Sequence, residues 1–294
     1  MQFILTTDTA NDSFKIELDK AGVPWTPLNY TIDGQTYYDT FSSDSEYKSF
    51  YDKMAAGAMP TTSLINTFTH EEFFTKILES NKIKTIVHLV LSGGLSETVN
   101  SARIAADNIM QKVVGSNIII VDTICATRGG QILLNKALEL RDNNISAIDA
   151  AQSLEIFKQS IIHLFMVDDL KHLHRGGRVS KASSVFGSLL KIKPILTINT
   201  EGKLAVIKKA KGAKGAISFF MDTIKEHMAD KENGSFYILS NCTSKNTADF
   251  AETLKSQYPN CSIDMGWVGP VIGSHTGCGT FGVAFVGKKR FANK

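Results

Sequence analysis

Two clusters in this chain combine flexible backbone with strong hydrogen-bond donors. One is Ser274-His275-Thr276-Gly277-Cys278-Gly279-Thr280-Phe281-Gly282; the other, far upstream, is Gly176-Gly177-Arg178. Arginine presents a rigid, permanently charged fork suited to carboxylates and phosphates. An Arg, a His and several hydroxyls, with no evident acid–base pair, suit holding a small anion more than breaking a bond. The competing reading of Arg178 is a salt bridge to Asp168 or Asp169 that anchors its loop. His275 lies between Ser274 and Thr276, not among apolar residues, which argues against a core histidine.

Gly277-x-Gly279-x-x-Gly282 matches a dinucleotide fingerprint letter by letter. The true motif follows a strand and opens a helix inside a βαβ unit, whereas 283–286 reads as a strand. The glycines are better read as backbone that approaches a ligand or turns tightly. Thr61-Thr62-Ser63 and Ser92-Gly93-Gly94-Leu95-Ser96 are hydroxyl-rich loops, open to ligand contact or to capping. Ser96 is placed to cap a helix starting at Glu97. Asp8 and Asp122 both stand at expected strand ends. Side by side they would suit a metal or phosphoryl transfer, but each precedes a Thr and a loop, where Asp commonly caps a turn. Cys125 and Cys278 lie in polar loops without an adjacent His or Lys to activate a thiolate.

The elements that must position these residues follow from patterning. Apolar runs at 3–6, 85–91 and 118–121 alternate with helical spacing at 71–80, 97–110 and up to about residue 140, the first helix opened by a Thr69–Glu72 capping box. Near-continuous apolar strands separated by helices predict a parallel sheet, whose ligands bind beyond the strands' C-terminal ends. After a helix over 146–160 the pattern changes. A short strand at 164–167, a helix over 181–190, and strands at 193–199 and 204–208 around a Thr200-Glu201-Gly202 turn lead to further strands at 236–240, 262–266 and 281–286, with helices over 213–228 and 244–258. The fold class is α/β: an N-terminal doubly wound, mainly parallel domain over 1–160, and a C-terminal α/β domain with a mixed or antiparallel sheet over 161–294.

Bulk properties narrow the function classes. The 294 residues suffice for two domains of ordinary size. A net charge of only +3, without basic runs, lacks the footprint of a nucleic-acid binder. No apolar run approaches the roughly 20 residues of a membrane span, and no signal peptide is evident. The four cysteines form no CxxC pair, which fits reduced cytoplasmic thiols better than a disulfide frame or zinc site.

Several segments, in chain order, together resemble the DegV family, whose members include the fatty-acid-binding subunit of bacterial fatty acid kinase. Thr7-Asp8-Thr9-Ala10 is similar to its opening TDSTAD, and Pro60-Thr61-Thr62-Ser63 to its TTSQPS. Ser92-Gly93-Gly94-Leu95-Ser96-Glu97-Thr98 resembles SSxLSGT, and Val121-Asp122-Thr123 resembles VDT, followed by the small-residue turn Ala126-Thr127-Arg128-Gly129-Gly130. Leu173-His174-Arg175-Gly176-Gly177-Arg178, after Asp169-Leu170, resembles DLxxLxxGGR. Leu190 to Leu196 resembles LLxIKPIL, and His275 to Gly282 resembles HTGPGTLG.

The resemblance implies two α/β domains with a fatty acid buried between them, and hydroxyls, the GGR arginine and the HTG histidine around its carboxylate. Position by position this points to Thr62, Ser63, Ser92, Gly93, Arg178, His275 and Thr276, with support from Ser96, Gly277, Gly279 and Thr280. It implies no catalytic residue, no metal and no cofactor. The chain would be a cytoplasmic, non-catalytic lipid binder that presents the acyl carboxylate to an ATP-dependent kinase partner. The rivals are a metal-dependent phosphotransferase or hydrolase using Asp8 and Asp122, and a carrier of another apolar carboxylate. There are departures: Leu64-Ile65-Asn66 replaces Gln-Pro-Ser, Gly93 stands where a second Ser is common, and Cys278 replaces Pro. The physics suits a lipid carrier. About fifteen buried methylenes contribute roughly 12 kcal/mol gross, while an unpartnered buried carboxylate costs several. A long apolar slot with a small polar end is therefore required.

Overall fold

The structure is a computed structural model and describes residues 2–40, 43–168, 170–179, 192–241 and 245–292. Two sheets organise it. In the first, β1 (Ile4–Asp8), β2 (Trp25–Thr26), β6 (Thr85–Val90) and β7 (Asn117–Asp122) run parallel in the order β2-β1-β6-β7. β1 is buried throughout and β6 almost so, because helices cover both faces. On one face α3 (Thr67–Ser80) and α4 (Thr98–Lys112) set Phe74, Ile77 and the small residues Ala105 and Ala106 against Ile4, Ile86 and Ile118. On the other, α1 (Lys15–Lys20), α5 (Arg128–Asp142) and α6 (Ala147–Phe157) pack Leu18, Leu133 and Leu154 against Leu5, Val87 and Val121. This is the expected doubly wound arrangement.

At Ile161 the chain enters the second sheet. It comprises β8 (Ile161–Met166), β9 (Ile192–Ile198), β10 (Leu204–Lys211), β11 (Ser235–Ser240), β12 (Ser262–Trp267) and β13 (Phe281–Val286), in the order β10-β9-β8-β13-β11-β12. All neighbours are antiparallel except β11 and β12, so the sheet is mixed. Phe220 and Ile224 of the helix Gly212–His227, and Phe250 of Lys245–Gln257, fill one face. The other face meets the first half: Ile161 and Ala284 share a core with α5 and Val87.

Residues 29–63, largely unread in the sequence, build a small antiparallel sheet of β3 (Asn29–Ile32), β4 (Gln35–Tyr38) and β5 (Thr61–Ser63). With α2 (Asp44–Ala55) it packs on the short helix Pro270–Thr276 of the other half, where Tyr51 donates to the Val268 carbonyl (2.7 Å). Several boundaries differ from expectation. α3 starts at Thr67, not near residue 71, because Asn66 is the N-cap and accepts from Thr69 N–H at 2.9 Å; Thr69 forms no capping box. α4 starts one residue after the expected Glu97, and Ser96 Oγ accepts from Thr98 N–H (3.3 Å). The expected helix over 181–190, Asp169, Cys242 and the start of the helix at Ser244 lie outside the described residues.

Candidate functional site

The short helix Pro270–Thr276 carries His275 and Thr276 in its last turn. Proline opens it, where a missing N–H costs nothing. Gly277, with φ of 77°, ends it in a conformation a side chain would strain. This helix stands where a glycine-rich loop was expected around His275, since seven residues show too little periodicity to announce a helix. Opposite it, β5 is an edge strand, and Thr62 Oγ1 and His275 Nε2 form a hydrogen bond of 2.8 Å. Arg175, which sequence reasoning passed over, ties these pieces together. It donates to the carbonyls of Pro60 (3.0 Å) and Ser274 (3.4 Å), one ahead of each contributing segment.

The imidazole of His275 is pushed down to about 4, first by burial and then by the charges of Arg178 and Arg175. It is neutral at pH 7. Its Nδ1 is buried without a partner, as is Thr276 Oγ1. Arg178 does not pair with Asp168, which takes Lys193 Nζ at 2.6 Å. Its guanidinium instead donates to the Leu95 carbonyl (2.9 Å) and to that of Gly176. Burial lowers its pKa.

These groups border a cavity of about 280 Å³ between the two halves, close to the lower end of ligand pockets, about 300 Å³. Leu28, Leu91 and Ala126 from the first half and Phe165, Ile198 and Val268 from the second make its walls mostly apolar. Thr62, Ser63, Ser96, Arg178, His275, Thr276 and Thr280 all line it. An open groove of about 520 Å³ adjoins it, sharing Leu95, Ser96, Glu97, Arg178 and Leu204.

Four of the expected site residues do not line the cavity. Ser92 is fully buried and donates to the Gly202 carbonyl at 2.7 Å, fastening the first half to the β9–β10 turn. Gly93 N–H donates to Asp122 Oδ1 (3.1 Å), and a β-carbon there would lie 2.7 Å from Asp122 Oδ2. A serine at Gly93 would meet Asp122 and Val99. Gly277 and Gly279 are turn residues: added β-carbons would strike His172 and Asp168.

The paired-aspartate arrangement is also corrected. β6 separates β1 from β7, so Asp8 and Asp122 are not neighbours. Asp8 accepts from Leu91 N–H (2.7 Å) and Ala10 N–H (3.0 Å), while Asp122 accepts from Gly93 and Ile124 N–H. Both carboxylates cap loops. Cys125 is buried, not in an open polar loop, and burial pushes its thiol up. Among the described residues no group of three or more His, Cys, Asp or Glu is placed to hold a metal, and no helix is long and apolar enough to cross a membrane.

Residues 2–288 match the sequence profile of the DegV family, described as uncharacterised protein, DegV family. The chain belongs to the DegV family. A DegV domain-containing protein of Clostridium perfringens is 33% identical over 286 residues, covering 97% of this chain and 98% of that one. Among solved structures, the fold is similar to a DegV family protein from Thermus thermophilus described by its fatty acid binding (TM-score 0.86, 28% identity, 98% of this chain and 100% of that one). It is also similar to DegV from Bacillus subtilis, described as a fatty acid binding protein (TM-score 0.85, 28% identity, 98% and 100%). Shared coverage of this extent takes in both sheets.

Proposed function

We propose that this DegV protein binds one long-chain fatty acid, its acyl chain in the cavity and its carboxylate among Thr62, Ser63, Arg178, His275 and Thr276. The observation that carries this reading is one cavity, apolar along its walls, that is also lined by Arg178, Ser63 and the neutral His275 hydrogen-bonded to Thr62. The fatty-acid-binding DegV structures of similar fold support it. Each methylene moved from water into the slot contributes about 0.8 kcal/mol. An anion entering beside His275 and Arg178 gains charge-assisted hydrogen bonds that offset its desolvation.

Residues 1–160 and 161–294 then act as two cytoplasmic halves closing on one ligand. The chain performs no turnover itself. Arg178 is shared by the cavity and the open groove, which supports a reading in which an ATP-dependent kinase partner reaches the carboxylate there to make acyl phosphate. The locked roles of Asp8 and Asp122 weigh against the metal-dependent phosphotransferase reading. Native mass spectrometry of the purified protein, repeated after organic extraction, tests the proposal. A mass excess of one fatty acid, released on extraction, is expected. A protein that stays apo after incubation with mixed fatty acids refutes it, and capture of a different apolar carboxylate replaces it with that carrier function.

A further inference from the structure

The polar residues of the cavity do not all sit at the His275 end. His163 lies on β8 between Ile161 and Phe165, and all three side chains share the face turned toward the first half. α5 presses against it: a β-carbon on Gly129 would lie 1.9 Å from His163 Nε2. The ring is 2% exposed and lines the cavity, and neither nitrogen has a hydrogen-bond partner. Burial, then the charge of Arg290, hold its pKa well below the ordinary histidine range, and the Ala126 backbone opposes this. The imidazole is therefore neutral, with one N–H donor and one acceptor lone pair. An apolar acyl chain satisfies neither, and a buried polar group without a partner is costly.

Two features place this group deep in the cavity and mark it as more than a core histidine. Met166 pairs with Phe281, so Val167 stands beside Thr280, and Gly279 packs on Asp168. His163 is four residues back along the strand from Val167, about 13 Å at about 3.3 Å per residue. Thr127, at the N-cap position of α5, has φ of 52° and also lines the cavity. A β-branched residue in that conformation is strained, and such strain gathers at ligand clamps.

We propose that His163 forms a second polar subsite part-way down the acyl cavity, and that the ligand class is a fatty acid bearing a hydroxyl on its chain. The inference rests on the fatty-acid reading of the cavity. The hydroxyl would exchange a hydrogen bond with the neutral imidazole while the carboxylate stays with Thr62, Arg178 and His275.

The test uses delipidated full-length protein in competition binding with stearate and with hydroxystearates carrying the hydroxyl at successive positions. The expected profile has a maximum: the isomer whose hydroxyl reaches His163 binds about tenfold tighter than isomers hydroxylated elsewhere. His163→Leu should erase the maximum, lowering that isomer's affinity relative to stearate about tenfold. His163→Gln, which keeps a donor and an acceptor, should retain part of it. A flat positional profile in the wild-type protein overturns the inference even if the variants fail to fold. So does a maximum that survives His163→Leu. Binding of neither stearate nor any hydroxystearate overturns the fatty-acid reading itself and this inference with it.

Discussion

Gly176 offers a direct test of how the site is held together. Its φ is not in the left-handed region, so the backbone accepts alanine. The space does not: the new methyl carbon would lie 2.2 Å from His275 Nδ1 and 3.3 Å from the His172 carbonyl oxygen. Restoring an ordinary separation of about 3.5 Å requires the imidazole to move by about 1.3 Å. A displacement of that size disturbs the 2.8 Å contact of the ring with Thr62. Losing a donor to the ligand carboxylate costs about 1.5–3 kcal/mol, so fatty-acid affinity should fall roughly tenfold to a hundredfold. Overpacking should remove a further 1–3 kcal/mol or so from stability. Gly177→Ala is the matched control. Nothing lies within 4 Å of its added carbon, but its φ is 74°, so it should lose about 1 kcal/mol of stability through backbone strain and keep its affinity within about twofold. Displacement of a fluorescent fatty acid, with thermal melts on the same samples, separates the two effects. If Gly176→Ala binds like the wild type with its fold intact, the argument that this turn positions His275 for the carboxylate is wrong.

Arg178→Ala should weaken fatty-acid binding about tenfold or more, the cost of one charge-assisted partner; unchanged affinity with lost acyl phosphate formation would assign Arg178 to partner docking instead. Ser92→Ala removes the donor to the Gly202 carbonyl and should lower stability by about 1–3 kcal/mol while leaving affinity within about twofold; a large loss of binding in a stable variant would return Ser92 to the ligand site. The pH dependence has a definite sign. Burial pushes Asp39 up to about 8, partly offset by the Val271 N–H, so its contribution is fully present below about pH 3.8 and is lost as pH rises through about 8. Denaturant unfolding should show stability falling from pH 6.5 to 8, and Asp39→Asn should flatten that limb by up to about 1.4 kcal/mol per pH unit; an unchanged slope would contradict the buried, protonated state of Asp39.

Patterning determined a good deal of this protein unaided. The buried parallel strands β1, β6 and β7 and the strand at Phe281–Val286 were legible because each contains an apolar stretch, short in β1, bounded by turn residues. The division into a parallel and a mixed sheet followed from the change in rhythm near residue 160. Residue type singled out Arg178 and His275 as candidate anion contacts and left Thr62 even between ligand contact and capping. The short β3–β5 sheet and the helix Pro270–Thr276 were not legible, since three to seven residues carry little periodicity and are held by contacts from the other half of the chain. Only tertiary structure decided which hydroxyls face the cavity. Ser92 and Ser96 lie in one loop with similar local chemistry, yet Ser92 is spent on Gly202 and Ser96 lines the slot. Likewise His163 reads as one polar residue in the apolar run Ile161–Met166, and nothing local says that it borders a cavity. A side chain's own sequence neighbours fix its chemistry, but its partners come from strands and turns distant in the chain, and those partners decide whether a polar atom is satisfied or left for a ligand.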